Sequence, residues 1–204
     1  MQFSHSQYIK AGACGLLIGA LIMQFTLPFL MEQEWWPGHS SHSHTTEYHI
    51  HADFIVVVND ELVNLSTPEY ISTTEKKLSD DVHLHDGNGA IEHLHAEGIT
   101  FANFLATLGI TLTDTCLSLK EEAAICQSEE TAVALYVNDE RFTDKVTSYI
   151  PVDLDRVLLY VGSSDENVRG NFRGQVGNRA CMFSGSCLEQ GIPPPESCGL
   201  TCEI

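Results

Sequence analysis

Hydrophobic and polar positions alternate well through HIHADFIVVVNDELVNLS, residues 49–66: Ile50, Phe54, Val56 and Val58 share one parity, His49, His51 and Asp53 the other. A period of two predicts a strand with one buried face, and Asn59-Asp60 supplies the turn of a hairpin. The word VNDE at 58–61 returns at 137–140 with unmatched flanks, so it reads as a second similar turn, not a repeat. At 100–108 the period changes. Phe101, Phe104, Leu105 and Leu108 fall at i, i+3, i+4 and i+7 behind Thr100, a good N-cap, and Gly109 is a stop signal. TAVALYVND (131–139) and DRVLLYVG (155–162) read as two more strands. The order hairpin, second hairpin, helix, strand, strand predicts an α+β domain over 48–163: a β-grasp-like mixed sheet folded over one packed helix.

Outside that block the pattern is different. Residues 11–31, AGACGLLIGALIMQFTLPFLM, contain no charged side chain and match the length of a membrane-crossing helix. Lys10 precedes the run, Glu32 and Glu34 follow it, and Trp35 and Trp36 suit an outer interface. The expectation is a cytoplasmic N-terminus (1–10), a single transmembrane anchor in the cell membrane (11–31) and an extracytoplasmic remainder. Cys14 precedes the apolar run instead of following it, which argues against lipidation. Residues 32–47 are a polar, His-rich spacer, and its HSSHSH stretch (39–44) suits either metal capture or a solvated linker. Residues 164–180 read as a Gly/Asn/Arg-rich linker and 181–204 as a Cys-rich tail.

Charge and cysteine then narrow the chemistry. The 204 residues carry 10 Lys+Arg against 28 Asp+Glu, a formal net charge of -18. Such a surface repels phosphate backbones, so a nucleic-acid partner is not expected; cations are attracted. Cys116, Cys126, Cys181, Cys187, Cys198 and Cys202 form an even set, as an oxidising compartment permits, and no C-x-x-C occurs. A Cys116–Cys126 bond would close a short loop. The four tail cysteines call for two disulfides or one metal ion, with the pairing left open.

The most specific feature is HLHDGNGAIEHLH, residues 83–95, two His-x-His pairs across a turn, with a third pair at His49 and His51. Each pair puts both rings on one side of its strand. A two-residue loop at Asn88-Gly89 would split the pairs; a three-residue loop, with Gly89 left-handed, sets His83 opposite His93 and leaves four rings on one face. Only the latter lets Val82, Leu84 and Leu94 share the buried side. If the 49–53 strand is a neighbour, His49, His51, His83, His85, His93 and His95 converge. Clustered neutral imidazoles suit a transition metal, zinc or copper in this setting. Asp53, Asp86, Glu92 and Glu97 are near enough in sequence to orient a ring through its free N–H.

HIHADF, HLHDGNGAIEHLH, AEGITFANFLATLGI, the VND turn and DLDRVLLYVG together resemble a group of small prokaryotic proteins with an N-terminal membrane anchor and this His motif. The resemblance covers about 48–163 and implies a β-grasp-like domain; PPPESCG in the tail also occurs in some members. Some relatives are labelled protein-disulfide isomerase, an activity for which this chain lacks the C-x-x-C. The cupin pattern, also built on His-x-His, fails because Glu92 and Glu97 stand at the wrong distances.

The expected function is therefore a membrane-tethered, extracytoplasmic zinc- or copper-binding module. A metal-dependent hydrolase or oxidase on the same ligands, with Glu92 or Glu97 as base, is one alternative. Thiol-disulfide chemistry by the C-terminal cysteines and a pH-sensing histidine surface are others.

Overall fold

A computed structural model describes residues 48–192. The anchor expected over 11–31, the spacer, and Cys198 and Cys202 lie outside the described residues.

Strand β1 (Ile50–Val58) is the spine. It turns at Asn59 and Asp60 (φ 52° and 64°) into β2 (Glu61–Leu62), with Val58 opposite Glu61. Two successive positive φ values are what a type I′ turn needs, and Asn and Asp tolerate them. The second VNDE does the same: Asn138 and Asp139 (φ 52° and 69°) link β8 (Thr131–Val137) to β9 (Glu140–Arg141). Between these hairpins lie β3 (Val82–His83), β4 (Ile91–Leu94), helix α1 (Phe101–Thr107), and a separate three-stranded sheet of β5 (Ile110–Leu112), β6 (Cys116–Leu119) and β7 (Ile125–Cys126). Strand β10 (Arg156–Ser163) runs parallel to β1 and antiparallel to β8, giving the mixed order β3-β4-β1-β10-β8-β9 with β2 also on β1.

Helix α1 starts where expected. Thr100 caps the Asn103 N–H and Asn103 reaches back to the Thr100 N–H, closing a capping box, and Gly109 takes φ 76° after the helix. Phe101, Phe104 and Leu105 are fully buried against Phe54, Val56, Leu94, Leu135, Val157 and Leu159. This is the main core. Cys116 and Cys126, directly opposite on β6 and β7, are joined by a disulfide.

The class is α+β and the sheet is mixed, but the expectation of a β-grasp-like sheet over one helix, preceded by a membrane-spanning helix, is corrected. Among the described residues no helix is long and apolar enough to cross a membrane. A second layer also covers the other face of the sheet. β10 is buried on both sides from Val157 to Gly162, so a single helix cannot shield it. The stretch expected as a linker supplies α2 (Glu166–Arg173), and its last residue with the start of the expected Cys-rich tail supplies α3 (Ala180–Phe183). Asp165 caps α2, and Glu166 pairs with Arg169 and Arg173. Phe172 and Val176 then lie on Tyr160, Val57 and Tyr136, a smaller second core. Gly and Asn suggested a loop; tertiary burial of the few apolar positions overrides that composition.

Candidate metal centre

The histidines occupy the remainder of that second face. In β1 the parity opposite Phe54 and Val56 carries His51, Asp53, Ile55 and Val57: apolar at one end under α2, imidazole at the other under α3. β4 lies antiparallel to β1 with His93 opposite His51, and β3 sets His83 opposite His93 on the other side. One register thus places imidazoles from three strands in a row. Val82, Leu84 and Leu94 go to the main core, as the odd-length turn requires. The turn differs in detail. Asp86 and Gly87 (φ 54° and 71°) carry the left-handed turn, while Gly89 is needed for close approach: a Cβ there would stand 2.2 Å from the Leu65 carbonyl carbon.

All six rings form one closed circuit. Centroid distances run His51–His49 4.4 Å, His49–His95 4.4 Å, His95–His83 5.0 Å, His83–His85 5.6 Å, His85–His93 3.8 Å and His93–His51 4.7 Å. His51, His83, His85 and His93 are buried, while His49 and His95 are partly exposed. Within the circuit, His49, His51 and His93 each offer a ring nitrogen within 4.8 Å of the other two, close enough to hold one metal ion.

The anchors of the rings fix their tautomers. Ser184 Oγ donates to Asp153 Oδ1 (2.6 Å), so its oxygen accepts from Nδ1–H of His51 (2.9 Å). His83 Nδ1 donates to the Ser79 carbonyl (2.9 Å) and His85 Nδ1 to Asp86 Oδ2 (2.7 Å). With that proton on Nδ1, His85 accepts at Nε2 from Nδ1–H of His93 (3.0 Å). Each anchor puts the proton on Nδ1 and leaves the lone pair on Nε2, the form in which imidazole binds a metal. The Nε2 atoms of His49, His51, His83 and His93 are buried. Burial, then the neighbouring imidazoles, hold His93 well below the ordinary histidine range. His83 is lowered too, mainly by burial and against the opposing pull of the Ser79 hydrogen bond. Neutral rings suit ligation.

Of the acids expected to orient rings, Asp86 is the one seen to do so among the described residues. Asp53 accepts from the Arg179 and Ala180 N–H groups (2.8 and 2.7 Å) and so fixes the start of α3. Glu97 is exposed. Glu92 alternates with His93 and therefore points to the opposite face, where it is wholly buried with neither carboxyl oxygen hydrogen-bonded; burial pushes its carboxyl well above the carboxylate range. Parity alone places it there.

Sequence reasoning missed Asp153, Ser184, Ser79 and Phe183. Asp153 sits on the loop before β10, accepts the His51 backbone N–H (3.0 Å), and is followed by Leu154 at φ 71°, whose N–H bonds the His51 carbonyl (2.8 Å). A left-handed leucine is strained, and here it braces the strand that carries the site. Phe183 meets His93 edge-on (5.3 Å) and tilts against His51 (5.6 Å). The only signal for this cover was the close spacing of Cys181 and Cys187, which form the second disulfide. A cleft of about 400 Å³, lined by His85, Asp86, His93, Arg179 and Phe183 among others, leads from the surface to the rings. The Asp153–Ser184–His51 chain is no nucleophile triad: the serine stands between acid and imidazole, with its hydrogen already committed to the acid.

No protein-family model, curated protein or solved structure matches this chain.

Proposed function

We propose that this domain binds a divalent transition-metal ion, zinc or copper(II), at the Nε2 atoms of His49, His51 and His93, in an oxidising compartment outside the cytoplasm. The observation that carries the reading is the approach of one ring nitrogen from each of these three histidines to within 4.8 Å of the others. The all-imidazole donor set favours zinc, copper and nickel over the harder magnesium and calcium. Two disulfides among the described residues support the compartment. Three ligands leave one coordination position for exchange, and the cleft beside His93 offers an entry path. Uptake and hand-over of the ion is the role these features favour. His83, His85 and His95 complete the circuit and help hold the ligands in place.

The metal-dependent enzyme reading is weaker. It needs a base on the metal's side, and Glu92 faces the opposite core while Glu97 is exposed.

The test is elemental analysis and calorimetric zinc and copper titration of the purified full chain, wild type against His51→Ala/His93→Ala. The expected result is about one tightly held equivalent in the wild type and its loss in the double variant. Negligible metal in both would falsify the assignment.

A further inference from the structure

Among the described residues, Phe183 and Ser184, which meet His51 and His93 from α3 and its C-terminal end, belong to one short loop closed by a disulfide. Cys181 and Cys187, six residues apart, bracket Met182, Phe183, Ser184, Gly185 and Ser186. From this bracket Phe183 lays its ring on His51 and His93, and Ser184 receives the His51 Nδ1–H while donating to Asp153. Apart from these contacts, its other anchors among the described residues are few. Its helix α3 is four residues long, far below the length at which a helix persists by itself. Its start is fixed by Asp53 at the Arg179 and Ala180 N–H groups; its far end is fixed by the Ser186 and Cys187 N–H groups on the Cys181 carbonyl (2.8 and 3.3 Å) and by the sulfur bridge. The described residues just past Cys187 are mostly exposed: Leu188 is 70 % accessible.

Building on the metal reading above, we infer that the Cys181–Cys187 disulfide is a redox latch on the metal centre: the oxidised loop holds the ion in, and its reduction lets the ion go. The step balances as ordinary thiol–disulfide exchange. An external dithiol supplies two electrons and two protons, the Cys181–Cys187 sulfur bond breaks, two thiols form, and the dithiol becomes a disulfide. Freed at its C-terminal end, α3 loses its bracket. Phe183 leaves the rings, water reaches them, and Ser184 no longer fixes the His51 tautomer. Loss of such an outer partner lowers metal affinity by about 10- to 100-fold. The Cys116–Cys126 bond lies across β6 and β7, in the other sheet, and is not part of the latch.

The experiment measures zinc affinity of the full chain by competition with a chromophoric chelator, with and without a phosphine reductant. Wild type should lose at least tenfold in affinity on reduction, as should Cys116→Ser/Cys126→Ser. Cys181→Ser/Cys187→Ser should start at the weakened value and not respond further. Phe183→Ala/Ser184→Ala keeps the disulfide but removes what it positions; it too should be weak and insensitive to phosphine, so the idea is tested even if the serine pair fails to fold. Wild-type affinity in the serine pair, or a full phosphine response in Phe183→Ala/Ser184→Ala, overturns the latch alone. Failure of the oxidised wild type to bind zinc at all removes the metal reading and the latch with it.

Discussion

His85 Nε2 accepts a hydrogen bond from His93 Nδ1 at 3.0 Å, and His85 Nδ1 in turn donates to Asp86 at 2.7 Å. A carboxylate in the turn thereby sets which nitrogen of a ring two contacts away carries the lone pair. Asp86→Gly keeps the left-handed backbone (φ 54°) and removes the acceptor. Zinc affinity should fall by about tenfold, in the range for outer partners of ligating histidines. Asp86→Asn, which retains a carbonyl acceptor, should recover most of it. Equal affinities in all three proteins, by chelator competition, would break the chain of anchors.

The two glycines of the same turn should respond differently to alanine. Gly87 has open space around its missing Cβ and only its φ of 71° to satisfy, so Gly87→Ala should cost about 1–2 kcal/mol. At Gly89 the methyl group would meet the Leu65 and Ser66 backbone, and the hairpin must move. Gly89→Ala should cost more, about 2–3 kcal/mol, and weaken metal binding as well. Thermal unfolding with zinc titration of each variant checks the order.

Glu92 is buried in the main core without a hydrogen-bond partner, on the side of the sheet away from the rings. An unsatisfied buried polar group costs about 1–3 kcal/mol. Glu92→Met, similar in volume and unbranched, should therefore raise stability by about 1 kcal/mol or more and leave zinc affinity unchanged. A fall in unfolding temperature would mean that the carboxyl has a structural task.

In the metal-free protein, pH should act through the same groups with opposite signs. The folded state holds His83 and His93 below the ordinary 6.5, so below that value the unfolded chain binds more protons, and their contribution to stability, full above pH 6.5, is lost as pH falls. Glu92 is held above the ordinary 4.5, so its effect runs the other way: stability is lost as pH rises from 4.5. Between these values the two oppose each other. Denaturant unfolding of Glu92→Met should show the histidine slope alone, steeper below pH 6.5 than in the wild type. An unchanged slope would remove the account.

How much of this was legible beforehand follows from period and parity. The alternation at 49–58 and the choice of an odd turn placed the six rings on one face, because a single-residue slip would have exposed Val82, Leu84 and Leu94. The same parity already turned Glu92 away, although its nearness in sequence suggested a role beside the rings. Helix α1 was readable from its cap and its spacing. Helices α2 and α3 were not: their few apolar residues acquire meaning only against a strand, β10, that is buried on both faces. Asp153 and Ser184 reach His51 from 102 and 133 residues away, and nothing local announces such contacts.

The sheet ends at β3 and β9, which are two residues each, Val82–His83 and Glu140–Arg141. Rims so short offer almost no ladder of their own for a foreign strand to extend, but β9 pairs only with Tyr136 and Val137, so among the described residues no strand pairs with the rest of the outer edge of β8. The place where a second copy of the chain could extend this sheet is therefore the outer edge of β8, at the opposite end of the strand order from the histidines of β3 and β4.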